Sequence, residues 1–302
     1  MVFNIIYDNS FIIKILTLYK NKYTFSKDAW NEIIYKEINK TSINGLNNDS
    51  KYTPLTYACE NNFKEEVKIL VDNHADVNLV NKEGDTPLII ACRNNNKDIV
   101  NILIGSGADI NKGNENGDTP LIIACYYNSI DVIDILIKNG ADINKGNIDG
   151  NTPLMIANNE VTQALMECAN KNHLNAKNNQ GKSPLIYACE HGNEIIVEFL
   201  VDSNTDVDIE DQQGNTPLNI SIKESNERLV HFLIKHDVNI FKEDKEGYIP
   251  LNYILKYNNQ SIINCFIDQI NYLYLFNKSL NQLLKGNVHS LLYYNIYKIK
   301  FT

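Results

Sequence analysis

The 302-residue chain predicts an all-α solenoid of stacked helix-turn-helix units, and three observations carry that prediction. The nonapeptide GDTPLIIAC stands at residues 84–92 and returns, letter for letter, at 117–125. Proline recurs in Thr-Pro-Leu or a near variant at Pro54, Pro87, Pro120, Pro153, Pro184, Pro217 and Pro250, at intervals of 33, 33, 33, 31, 33 and 33, and nowhere else. Between prolines, apolar residues keep the i, i+3, i+4 spacing of one helix face. A fixed period of this length is the signature of stacked repeats.

Each element follows from its residues. Two amphipathic segments, 10–20 and 28–39, followed by SINGLNND, form an N-terminal cap over 1–50 that reads as a degenerate first repeat. Residues 51–281 hold seven repeats. In the second of these Thr86 is a hydroxyl N-cap and Pro87 takes the first helical position, where its missing N–H costs nothing. Leu88, Ala91 and Cys92 give that helix an apolar stripe narrow enough for a neighbour to approach. Asn95 is placed to stop it in the left-handed conformation, with Asn62, Asn128, Gly192, Ser225 and Asn258 equivalent. A second helix carries Ile99, Ile102 and Leu103 on one face and ends at Gly107, and an extended finger, ADINKGNENG, leads to the next Thr-Pro. Two short helices cannot bury their stripes alone, so the repeats must stack. The fourth repeat is shortened: Ala157 to Leu165 spans eight residues where Ala124 to Leu136 spans twelve, and a bend near 155–175 is expected. Residues 282–302 keep helical apolar spacing without Thr-Pro-Leu and are expected to cap the far end.

This pattern resembles the ankyrin repeat family, with its T-P-L-H-x-A-A opening and G-A-D-V-N close, over roughly residues 51 to 281. The resemblance implies β-hairpin-like fingers and a concave face of finger tips and inner helices; at ~8–10 Å per helix layer the face would run roughly 60–70 Å. The family's histidine is replaced throughout, by Thr56, Ile89, Ile122, Met155, Ile186, Asn219 and Asn252. Hydrogen bonding between repeats is therefore expected to be weaker, with apolar packing in compensation. Tyr57, Tyr187 and Tyr253, one place further on, are expected in the core.

The resemblance also implies a non-enzymatic scaffold that holds another protein on its finger tips and the exposed ends of the first helices. Carried over by position, the contact residues are Arg93, Asn94, Glu115, Asn116, Asp118, Tyr126, Tyr127, Ile148, Asp149, Glu190, His191, Tyr248 and Tyr257, with Lys82, Glu83 and Asp85 among the tips. Tyr126 and Tyr127 stand out because tyrosine is enriched among binding hot spots; the alternative is that they pack on fingers of their own and the next repeat. Tyr248 and Tyr257 form a second candidate cluster. Glu83, Asp85, Glu115, Asp118 and Asp149 would make an acidic rim able to draw a basic partner. Two other readings compete: a targeting module whose flanks at 1–50 or 271–302 carry an adaptor or enzymatic activity, and a substrate for hydroxylation at the finger asparagines Asn78, Asn111 and Asn144.

Other chemistries fail on charge or spacing. A formal net charge of -9 argues against nucleic acid as the main partner, since phosphate binding needs a clustered basic surface. No run approaches the ~18 apolar residues of a membrane helix, and Asp8 and Lys14 interrupt the N-terminal apolar segment, so neither membrane span nor signal peptide is expected. Cys59, Cys92, Cys125 and Cys189 follow the alanine of the first helix, with Cys168 and Cys265 also on apolar stripes. There is no C-x-x-C, so buried thiols in a reducing, intracellular compartment are expected, with no metal and no cofactor. DINKGN at 109–114 and 142–147 begins like a calcium loop but has proline where the twelfth-position glutamate is needed. The histidines His74, His173, His191, His231, His236 and His289 are scattered and are expected at surfaces and helix ends. A capped stack of this kind is expected to be a monomer.

Overall fold

The structure is a computed structural model that describes residues 43–44, 51–166, 174–236 and 238–284. The expected N-terminal cap helices, Cys168, His173, His289 and most of the C-terminal cap lie outside the described residues. The chain divides into two compact bodies, Met1–Gln180 and Gly181–Thr302.

In the first body, helix pairs follow one another: α1 (Pro54–Glu60) and α2 (Lys64–Asp72), α3 (Pro87–Arg93) and α4 (Lys97–Gly105), α5 (Pro120–Tyr126) and α6 (Ile130–Lys138), then α7 (Pro153–Ile156) and α8 (Asn159–Met166). The first helices pack side by side in the order α1, α3, α5, α7, and the second helices in the order α2, α4, α6, α8. The second body repeats the arrangement with α9 (Pro184–Glu190) and α10 (Glu194–Asp202), α11 (Pro217–Lys223) and α12 (Glu227–Ile234), and α13 (Pro250–Tyr257) and α14 (Gln260–Leu284). There α9, α11 and α13 are successive neighbours, and α12 packs on α14. All described regular structure is helical. The helix α14 runs unbroken through 281 and 282, and at its start Ile263, Phe266, Ile267 and Ile270 meet Leu251, Ile254 and Leu255 around a shallow apolar hollow.

Helix starts are set by the residues that predicted them. Thr53, Thr86, Thr119, Ser183 and Thr216 each accept a hydrogen bond from the backbone N–H three residues on, with proline at the first helical position. Asn96, Asn193 and Asn226 do the same for second helices. The stops also hold: Asn62, Asn95, Asn128, Gly192, Ser225 and Asn258 all have φ between 50° and 66°, and Gly107 has φ 87°. The stripes are largely buried, with Leu88, Ala91, Cys92, Ile99 and Leu103 at 0% exposure, while Ile102 of the second-helix stripe is only half-buried.

Where the family has histidine, Ile89, Ile122 and Ile186 are buried, as apolar compensation requires. Asn219 is the exception: fully buried, it keeps both amide atoms without a partner. Two tyrosine expectations need correction. Tyr253 is buried, but Tyr57 and Tyr187 are only half-buried, because the first lies edge-on to Tyr52 and Phe63 and the second stacks on His191 at the rim. The fourth repeat is trimmed as expected. Ala157 turns extended (φ -60°, ψ 138°) after four helical residues.

Hydrogen bonding between repeats is not lost with the histidine; it sits in the fingers. Asn78 Oδ1 accepts from the Asp109 N–H at 2.7 Å and Asn111 Oδ1 from the Asp142 N–H at 2.8 Å. Lys112 and Lys145 reach back to the carbonyls of Asn78 and Asn111 at 2.9 and 2.8 Å. Each tip is a side-chain turn in which Asn81, Asn114, Asn147, Asp211 or Asp244 accepts from the N–H groups two and four residues on. The glycine within the tip must adopt positive φ, and at Gly117 it also admits the next finger: a Cβ there would lie 2.9 Å from Ile148 N. Gly107 shares the positive φ but has open space around it. Gly117→Ala is therefore expected to cost about 2–3 kcal/mol, and Gly107→Ala about 1 kcal/mol, in urea unfolding of the full chain.

Candidate protein-binding surface

The finger and first-helix face of the first body brings together most of the residues expected to touch a partner. Tyr126 ends α5 and Tyr127 caps it. Their rings meet edge-to-face, with centroids 5.1 Å apart at 67°, and they are 70% and 49% exposed. Packing against fingers does not bury them. On the tips, Glu115 and Asn116 are exposed beside Ile148 and Asp149 of the next finger, and the Ile148 N–H donates to the Asn116 carbonyl at 3.0 Å. Ile148 is 62% exposed, so this edge is partly apolar.

Other expected contact residues are tied down within the molecule. Arg93 is bonded to Asp85, approaches Glu60 at 3.9 Å and lies 5.8 Å from the Tyr127 ring centroid. Asp85 is buried at 2% exposure and also accepts from Asn114 Nδ2 at 3.0 Å, so it does not belong to the acidic rim. Its short side chain points inward because a cation eight residues on and an amide from the next finger both reach it. Asn94 donates to the carbonyls of Cys59 and Glu60, each at 3.2 Å, and joins α3 to α1. Asp118 is half-buried and accepts from Asn147 Nδ2 at 2.9 Å.

In the second body Glu190 accepts from Lys182 at 2.6 Å, and His191 stacks on Tyr187 with centroids 4.3 Å apart. Tyr248 and Tyr257 are 47% and 43% exposed. The ring Tyr248 meets is that of Tyr253, 6.0 Å away, while Lys256 lies over Tyr257 at 5.8 Å. Tyr253 in turn donates its hydroxyl to buried Asp244.

Sequence reasoning missed the bonding of the fingers. The signal was present, since Asn or Asp stands three residues before every finger glycine at 81, 114, 147, 178, 211 and 244. The amides of Asn78 and Asn111, candidates for hydroxylation, also donate to the carbonyls of Gly107 and Gly140 at 3.3 Å, so modification would have to release both ends of each side chain.

Cys59, Cys92, Cys125 and Cys189 are free and buried, and Cys265 is free and half-buried. Burial raises all five thiols above their ordinary range, Cys189 to about 12. No helix among the described residues is long and apolar enough to cross a membrane.

Stacked helix-turn-helix repeats with inter-locked fingers define a repeat protein built to present a surface. The pattern for ankyrin repeats (three copies) matches residues 12–114, 67–147, 98–173, 145–211 and 193–274, and the chain belongs to the ankyrin repeat family. That family consists in general of protein–protein interaction modules without enzymatic activity. Among solved structures, the chain is similar to the ankyrin repeat domain of Bcl-3, a unique member of the IkappaB protein family. The identity is 22% and the TM-score 0.64, over 73% of this chain and 99% of that one. It is also similar to a chain of the Bd0816 predatory endopeptidase from Bdellovibrio bacteriovorus in complex with immunity protein Bd3460. There the identity is 28% and the TM-score 0.55, over 62% of this chain and 99% of that one. No curated protein sequence matches.

Two outcomes follow from the buried groups. Arg93→Ala leaves the Asp85 carboxylate inside without its cation and is expected to cost about 2–4 kcal/mol in urea unfolding, whereas Lys138→Ala, which breaks an exposed pair, should cost under about 0.5 kcal/mol. The four buried thiols keep their protons in the folded state after those of the unfolded chain have ionised, so their contribution is full below about pH 9 and is lost as pH rises above it. A urea midpoint that falls steeply between about pH 9 and pH 11 checks this.

Proposed function

We propose that the chain is a non-enzymatic, intracellular binding module that holds a partner protein on the finger tips and first-helix ends of its second to fourth repeats. The observation that carries this reading is the tyrosine pair. Tyr126 and Tyr127 stand edge-to-face on a helix end, 70% and 49% exposed, with Arg93 of the preceding repeat over the Tyr127 ring. Rigid aromatic rings held that way offer contact area at low entropic cost and are typical anchors of protein interfaces. The fingers of the third and fourth repeats add Glu115, Asn116 and Asp149 as exposed polar groups, half-buried Asp118, and Ile148 as one exposed apolar side chain. Arg93, bonded to Asp85 and over the Tyr127 ring, and Asn94, bonded to carbonyls of α1, are engaged within the molecule. The endopeptidase–immunity protein relative comes from a complex between proteins, which agrees with this use of the fold. Free, protonated cysteines support a reducing compartment.

The test is affinity capture from native extract with the wild-type chain beside a Tyr126→Ala/Tyr127→Ala double variant, after circular dichroism shows equal helicity. A protein retained by the first and lost by the second, with at least about tenfold weaker binding, is expected. Equal retention would remove the tyrosines from the interface, and no retained protein would remove the scaffold reading.

A further inference from the structure

The residue between the finger glycine and the Thr-Pro pair faces the residue eight positions on, at the end of the first helix, in one repeat after another. Asp85 is bonded to Arg93, Lys182 donates to Glu190 at 2.8 Å, and Lys223 donates to Asn215 at 2.5 Å. These rungs tie finger to helix. In the third repeat the same two positions are Asp118 and Tyr126, and no cation closes the rung. Asp118 Oδ1 accepts from Asn147, while Oδ2 takes no donor among the described residues. Tyr126 leaves the place open by standing out into water at 70% exposure.

The preceding repeat shows what fills such a place. There a guanidinium is bonded to the finger carboxylate, approaches a second carboxylate on Glu60 and lies over the Tyr127 ring. In the third repeat the carboxylate is present and the guanidinium is missing, its register position taken by Tyr126, whose neighbour Tyr127 is the ring that Arg93 meets from the repeat before. Exposed carboxylates stand on the tips of this finger and the next, and Arg93, which lies over the Tyr127 ring, is already bonded to Asp85. Glu115 and Asp149 are exposed on the adjoining tips, while Lys112 and Lys145, the cations of the same fingers, are held on the carbonyls of the fingers before them.

We infer that the third repeat takes an arginine side chain from a basic segment of the partner protein, with Asp118 as its carboxylate acceptor and the Tyr126–Tyr127 pair as its stacking surface. This rests on the reading of the chain as a protein-binding module. Arginine suits the place better than lysine because its planar guanidinium forms directed hydrogen bonds to a carboxylate while stacking on a ring. Ile148, exposed on the next finger, offers the aliphatic stem or a neighbouring residue an apolar contact.

The test titrates the isotope-labelled full chain with the peptide acetyl-Gly-Arg-Gly-Arg-Gly-amide, read by amide chemical shifts. Two further peptides carry citrulline, which keeps the planar shape without the charge, or lysine in place of arginine. The expected result is a set of shifts centred on Asp118, Tyr126, Tyr127 and Ile148, several-fold weaker with lysine and at least about tenfold weaker with citrulline. Asp118→Asn should weaken the arginine peptide about tenfold while leaving the fold intact, because an asparagine oxygen can still accept from Asn147. Shifts of equal size with citrulline, or unchanged by Asp118→Asn, or spread evenly over the acidic surface, or absent, would overturn the inference. If a captured partner still depends on Tyr126 and Tyr127 while the arginine peptide is silent at Asp118, the module reading stands and the arginine site falls.

Discussion

A helix of seven residues has more unpaired backbone groups at its ends than it has paired within, and alone in water it does not persist. The helices α1, α3, α5, α9 and α11 are that short. What makes them stable is lateral: within each body a first helix packs against the neighbouring first helices, as α3 does between α1 and α5 and α11 does between α9 and α13. This requirement explains the composition of the stripe. Ala58, Ala91, Ala124 and Ala188, each followed by cysteine, are small enough to let neighbouring backbones approach, and all are buried. It also explains why the start of each helix is so strictly specified, since a Thr-Pro entry fixes the helix in rotation and height against its neighbour before any packing begins.

The fingers supply a second tie of a different kind. Helix packing is apolar and tolerant of small displacement, whereas the bonds from Asn78 and Asn111 to the next finger are directional and set the rise from repeat to repeat. Lys112 and Lys145 add a clamp across the same gap. Two independent ladders, one of side-chain contacts and one of hydrogen bonds, therefore run along the same stack. The cost of losing the family's histidine is met by the second ladder as well as by the buried isoleucines.

Much of this was legible in the sequence because it depends on residues with distinctive backbone preferences. Proline fixes φ at a first helical position and glycine or asparagine accepts the left-handed conformation of a stop, so their spacing alone located the helices. The contact surface was less legible, for a physical reason. Asp85 and Asp118 occupy the same register and carry the same charge, yet one is buried and paired while the other keeps an open oxygen, because the deciding residue lies eight positions on and is Arg93 in one case and Tyr126 in the other. Arg93 and Asn94 likewise look like surface groups until α1 is placed beside them. The exposure of Tyr126 and Tyr127, in contrast, could be argued from their place at the end of a helix whose stripe was already filled.

The regularity of the stack is what gives its exceptions meaning. Where a rung is closed by Arg93, Glu190 or Lys223, the side chain works for the fold, and its removal is felt as lost stability. Where the rung is open, as at Asp118, the stack holds through α5 packing and the finger ladder without it. Tyr126, which stands where the closing cation would be, leaves most of its ring surface in water at 70% exposure, an unfavourable term within the fold. Covering the rings with another surface would regain that free energy, which is why the proposed binding site is placed where the internal tie is missing. Binding specificity in such a protein then lies in the few register positions where the repeat stops serving its own stability.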